Sequence, residues 1–299
     1  SLGANLMRPV TVHAATITVD GTVCNLIDAI TAANTNMATN GCAAGSGADT
    51  IELQTDVTLT AAHSFTYYSA TGLPAVLSDI TINGNGHTIE RDSLAPNFRL
   101  LAVYASGALT INDTTLSGGY SGGDGGAIFT HQGTVTLNGC TLMGNTAFID
   151  GGAIYSVHST LTVNDSTISG NATVYGIGGG IYHNNGTLTV SGSTINDNSA
   201  AEGGGLYIDN DSENVTNVTT IVNSTISNNT ATTGYGGGIN DQGQLTLTNV
   251  TITGNSAPRG GGLYVFFAEA GLMINRSIIS GNSAEVGDEI YNRLGSSIV

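Results

Sequence analysis

One short phrase returns six times in the second half of this chain, and few folds can accommodate that. It closes on Asn145, Asn171, Asn198, Asn229, Asn255 and Asn282, at intervals of 26, 27, 31, 26 and 27 residues. An earlier copy, Leu109 to Gly119, carries Gly where the later ones carry that Asn. Aligned on it, the columns are chemically uniform. Eight residues before stand Leu137, Val163, Val190, Ile221, Leu247 and Ile274; three before stand Leu142, Ile168, Ile195, Ile226, Ile252 and Ile279. Paired glycines precede a third column, Ile128, Ile154, Ile181, Leu206, Ile239, Leu263 and Ile290. Within each copy apolar residues alternate with Thr or Ser, which is strand periodicity with no helical period. A copy this short cannot bury its apolar face alone, so the copies must stack and share one core. Three short strands, turned at Gly-Gly and at Gly-Asn, make one rung of a parallel β-helix.

The turns have their own chemistry. Gly accepts the left-handed backbone freely and Asn tolerates it better than most residues. Stacked Asn side chains can also hydrogen-bond up a column, so the six Asn are read as structural. The interval of 31 residues holds an insertion, Asp209 to Thr216, expected as an outward loop.

Before the repeats, Cys24 to Asn34 reads as a short amphipathic helix. Asn25 is a fair N-cap, and Asp28 falls in the first turn, where negative charge is favoured. An apolar helix of this kind suits the open end of a solenoid. Cys24 and Cys42 flank it and can pair across the intervening loop, whereas Cys140 sits inside a repeat as a small buried apolar residue. Strand-like segments from Asp49-Thr50-Ile51 to Ile80-Thr81-Ile82 then start the first coils.

These N-terminal residues, Cys24-Asn25-Leu26-Ile27-Asp28-Ala29-Ile30 with Ala32-Ala33-Asn34 and Gly47-Ala48-Asp49-Thr50-Ile51, resemble the CSLREA-type region of secreted bacterial and archaeal proteins. They depart from that pattern at Asn25, Ile27 and Asp28. The Gly-Gly-Ala-Ile-Tyr and Gly-Asn phrases resemble those of polymorphic outer-membrane proteins and related surface β-helices. The resemblance covers nearly all of residues 16–299 and implies a right-handed β-helix of pectate-lyase-like shape, exposed outside the cell. The expectation is therefore an all-β chain: an N-terminal strand segment (1–19), a capping-helix region (20–48) and a right-handed parallel β-helix (49–299).

Charge narrows the function. Asp and Glu number 22 against 6 Lys and Arg, a net charge of −16, and all six basic residues are Arg. A nucleic-acid binder needs a basic footprint that this chain lacks, and so does a protein held to anionic lipid by a polybasic patch. No apolar run approaches the ~18 residues of a membrane span. Polyanionic polysaccharides are disfavoured as substrates for the same reason. A secreted or cell-surface structural or adhesive protein is the reading that remains.

The two ends suggest how such a protein would assemble. Val10 to Val19 is β-branched and strand-like, although Val12-His13-Ala14 also resembles a small-residue signal cleavage site. The last phrase runs through Ile290 to Ile298 and stops in mid-coil. Three accounts stay open: a further domain or anchor follows, the end frays, or another copy's N-terminal strand covers it. The third would place Val10, Val12, Ile17 and Val19 against Ile290 and Ile298 and generate a head-to-tail filament.

Two columns are candidates for binding. One residue past the inward aliphatic column stand Phe129, Tyr155, Tyr182, Tyr207, Asn240, Tyr264 and Tyr291. Their rings, about 4.8 Å apart from coil to coil, would offer a platform for surface carbohydrate or a neighbouring filament, or merely stiffen the helix. Four residues before the inward column, Asp124 and Asp150 fall one coil apart. They are the alternative catalytic pair, of a polysaccharide-active enzyme, and the place where calcium would find carboxylates. Catalysis is the lesser expectation, and no cofactor is called for. Asn210, Asn214 and Asn217, in or beside the insertion, are the glycosylation candidates.

Overall fold

The computed structural model describes residues 14–66, 69–210, 217–266 and 271–293. The alternating segments form strands that stack in parallel as a solenoid. Sheets of 16, 9 and 7 strands line its sides, with a separate two-stranded antiparallel pair, Ser64–Thr66 with Ser69–Thr71. In one typical coil, Ile128–His131 and Thr134–Asn138 lie in the largest sheet, Thr141–Met143 in the second and Thr146–Ala147 in the third. Register follows the repeat: Leu137 pairs with Ile111 and Val163, and Leu142 with Leu116 and Ile168. Every member of the inward columns from Ile128 to Leu263 is fully buried, so one apolar core runs through the coils. Among the described residues the single ion pair is His87 Nδ1 to Asp56 Oδ1, 3.2 Å. Apolar burial and hydrogen bonds hold this solenoid, not charge.

The ladder asparagines do their work through side chains. The residue in the left-handed region is the one before each: Gly144, Gly170, Asp197, Asn228, Gly254 and Gly281, at φ from 56° to 73°. Each ladder Asn is buried. From Asn171 on, its Oδ1 accepts two bonds from the Asn one coil earlier, one from the main-chain N–H and one from Nδ2, at 2.9–3.0 Å, while Asn145 Oδ1 accepts from Gly119 N–H at 2.9 Å. A parallel serine column at the preceding corner takes main-chain donors only: Ser166 Oγ accepts from Cys140 N–H and Ser193 Oγ from Ser166 N–H.

The N-terminal end is closed by its own chain. Strand β1 (Thr16–Val19) pairs in parallel with β2 (Asp49–Leu53), and helix α1 (Leu26–Thr35) buries Leu26, Ala29, Ile30, Ala32 and Ala33. Asn25 caps α1 by accepting from Asp28 N–H at 2.9 Å, and Asn36 ends it in the left-handed region. Cys24 and Cys42 are joined by a disulfide. Ile17 and Val19, expected against a second copy, are instead core residues 0% and 1% exposed. Their side chains complete the apolar end of the first coil, which is why they fold back. Val10, Val12 and Ile298 lie outside the described residues. Ile290 is half-buried in the strand Ile290–Asn292, which pairs with Leu263–Val265.

Candidate functional site

The aromatic column forms as the spacing predicts, but it is not an open platform. Phe129 stacks on Tyr155 at 5.3 Å between centroids, Tyr155 on Tyr182 at 4.9 Å, and Tyr182 on Tyr207 at 5.8 Å. Tyr264 stacks on Tyr291 at 5.5 Å. Tyr182, Tyr207 and Tyr264 are only 6%, 7% and 2% exposed, while Tyr155 and Tyr291 are half-buried. The hydroxyls of the first two are engaged as well. Tyr182 donates to Asp209 Oδ2 at 2.6 Å, and Tyr207 accepts from Gln242 Nε2. Burial, and the Asp209 carboxylate beside them, push both phenols well above their ordinary range. A sugar cannot stack on these three covered rings, so the expectation of a binding ladder is corrected there: they brace the coils.

The carboxylates expected as a pair do lie on successive coils. Asp124 Oδ1 accepts from Asp150 N–H at 3.2 Å, and Asp150 Oδ1 accepts from Ile177 N–H at 2.9 Å. Each thus ties its Gly-Gly turn to the next coil. Burial raises both, Asp150 to about 6. Among the described residues no three His, Cys, Asp or Glu side chains converge on a metal-sized site, and the calcium expectation has this pair alone to rest on.

Beside them lies a residue the sequence reading missed. Arg99 is fully buried, its guanidinium 4.5 Å over the Phe129 ring and Nη2 3.4 Å from Ser121 Oγ. Burial lowers it to about 10, still cationic at neutral pH. It lies before the recurring phrase, and nothing in its neighbours distinguishes it from a surface Arg.

The column is broken once, at Asn240. In place of a ring, its Nδ2 donates to Glu202 Oε2 at 3.1 Å. Tyr235, from the same coil's turn, supplies the missing ring by stacking on Tyr264 at 4.4 Å. Arg259 of the following coil reaches back, Nη1 3.3 Å from the Tyr235 hydroxyl. Glu202 is half-buried, and burial raises its carboxyl, an effect the Asn240 bond opposes.

The other candidates fall apart spatially. Asn217 is 1% exposed, with Nδ2 donating to the main-chain oxygens of His183 and Asp209, so a glycan cannot be attached to it in the folded chain. Asn210 is half-buried, and Asn214 lies outside the described residues. Cys140 is a buried free thiol that burial pushes up to about 11.

Stacked parallel coils, asparagine and serine ladders and a shielded aromatic column define a parallel β-solenoid. In agreement, residues 44–150 match the family model described as "putative pectate lyase-like adhesive domain". No curated protein and no solved structure matches the chain. The matched residues include Asp124, Asp150 and Phe129 but stop before the break at Asn240. No helix among the described residues is long and apolar enough to cross a membrane.

Proposed function

We propose that this chain is the rod of a secreted, surface-exposed adhesive protein. The match of residues 44–150 to an adhesive domain model carries the reading. The solenoid supports it: a continuous apolar core, turns laced by side-chain ladders, and a disulfide at the capped end suit a rigid, protease-resistant body outside the cell. The carboxylate pair supports a brace more than an active site, because each Asp is engaged by the next coil's main chain.

Head-to-tail assembly is the finer form. Every coil pairs in parallel register, so a donated parallel strand would extend the row that ends, among the described residues, at Ile290–Asn292. Since Thr16–Val19 pairs with its own chain, the donor would be the segment before it. Two measurements test these readings. Beads coated with the protein should adhere to bacterial or host-cell surfaces, and uncoated-level adherence would refute the adhesive role. Negative-stain microscopy should show threads that vanish on deleting residues 1–15; monodisperse rods from both proteins would refute assembly.

A further inference from the structure

The break in the aromatic column coincides with a change in turn length. Between the ladder Asn and the left-handed turn glycine the chain takes a longer path in the Asn229–Gly236 turn than in Asn255–Gly260 or Asn282–Gly287. A recess of about 280 Å³ lies beside the longer turn, lined by Glu202, Thr233, Tyr235, Pro258, Arg259 and Glu285 from four successive coils. Its wall is preorganised. Tyr235 is held by its stack on Tyr264, which rests in turn on Tyr291. The Glu202 side chain passes under Gly234, where a Cβ would lie 2.4 Å from Cγ, and is steered by Asn240. A larger hollow of about 540 Å³ along Ser256 and Ser283 presents mostly small hydroxyl and methyl groups, and lacks this combination.

We infer that the Tyr235–Arg259–Glu202 recess binds a neutral sugar unit of a surface glycan. This rests on the adhesive reading and supplies its ligand class. The chemistry is that of a polyol. Arg259 offers several N–H donors in a fixed fork, Glu202 and Glu285 offer acceptors, and Tyr235 offers a ring with a hydroxyl at its edge. Neighbouring hydroxyls of one sugar both donate and accept, so they match a guanidinium set between carboxylates. An acidic sugar would meet two carboxylates and a chain of net charge −16 with one guanidinium to offset them. At about 280 Å³ the recess is just below the ~300–1,000 Å³ of drug-sized ligand pockets, which suits a single sugar unit. Asn240 makes the site: a ring there would continue the column into the space that Glu202 and Tyr235 now use.

The test is isothermal titration of the full chain with cellohexaose, mannohexaose and, as contrast, hexagalacturonate. At least one neutral hexasaccharide should bind. Arg259→Ala and Tyr235→Ala should each weaken it about tenfold or more, the scale of a lost charged hydrogen bond. Met143→Ala, on the exposed face of the second sheet, should leave it unchanged. Far-ultraviolet circular dichroism checks that the variants keep their strands. Glu202→Gln keeps the shape and should weaken binding less than Arg259→Ala. Preferential binding of hexagalacturonate, no neutral binding at millimolar concentration, or binding indifferent to Arg259 and Tyr235 would each overturn the inference. Bead adherence separates the two readings. Adherence that survives Arg259→Ala removes the recess and leaves the adhesive role, whereas oligosaccharide binding without adherence removes the adhesive role alone.

Discussion

Asn171 places both its main-chain N–H and its Nδ2 on a single oxygen, Oδ1 of Asn198 one coil on, each at 2.9 Å. Asn198 repeats the arrangement toward Asn229 and also donates to Ile168 O. Replacing Asn198 with Ala would strand several buried groups on two coils, each worth about 1–3 kcal/mol. We expect Asn198→Ala to lower stability by about 3 kcal/mol or more in urea unfolding, since the Asn171 donors and the Ile168 carbonyl all lose a partner. A loss below about 1 kcal/mol would mean that the ladder is ornamental.

Two glycines should behave oppositely. At Gly179 a Cβ would lie 2.3 Å from Gly204 O and 2.6 Å from Ser199 O, with no room to move because both are backbone. At Gly170 a Cβ meets nothing within 4 Å, and only the φ of +61° resists it. Gly170→Ala should therefore cost only about 1–2 kcal/mol, the ordinary left-handed penalty. Asn228 already occupies the equivalent corner at φ 56°, so Gly170→Asn should be milder still. Gly179→Ala should cost considerably more or prevent folding, and equal melting temperatures for the two Ala variants would contradict the close-approach account.

The Cys24–Cys42 disulfide closes a loop with a sequence separation of 18 around α1. Reduction should destabilise the cap by about 3 kcal/mol, the usual size for a loop of that length. In a solenoid, where each coil leans on its neighbours, the loss should be local. Hydrogen exchange with and without reductant should accelerate in residues 16–53 and leave the coils beyond Asn145 protected. Uniform acceleration would show that the rod melts as one unit.

Asp241 lies inside the coil, 1% exposed, with Oδ1 accepting from Gly243 N–H at 3.0 Å. Burial lifts its carboxyl to about 7. A carboxyl raised above its unfolded value of about 3.9 binds its proton more tightly when folded. Its favourable effect is complete below pH 4 or so and is lost as the pH rises through 7. His183, buried and lowered to about 4, runs the other way and costs stability as the pH falls below about 6.5. The comparison of wild type with Asp241→Asn isolates the first term. The variant's melting temperature should exceed that of the wild type by more at pH 8 than at pH 5. A pH-independent difference would place the Asp241 proton elsewhere.

Much of this was readable from spacing. The inward columns, the coil register, the cap at Asn25 and the ladder on Asn145 to Asn282 all follow from local periodicity, because a strand's side chains alternate regardless of what covers them. Which outward residues would be covered was not readable. Tyr182 and Tyr155 hold the same position in the phrase, yet one is 6% exposed and the other half-buried, a difference set by what neighbouring coils contribute. Arg99 escaped for the same reason.

The sequence by itself determined that the chain stacks: a conserved spacing of apolar, hydroxyl and turn residues admits one way of burying every copy's face, and the short-range preferences of Gly, Asn and Thr agree with it at each corner. Only the tertiary structure decided where a surface could receive a ligand. That depended on Ile17 and Val19 returning to their own coil, on Asp209 reaching Tyr182, and on Glu202, Tyr235, Arg259 and Glu285 of successive coils lining one recess. Such contacts join residues one or two coils apart, and their geometry comes from differences between copies, which a repeating pattern does not encode.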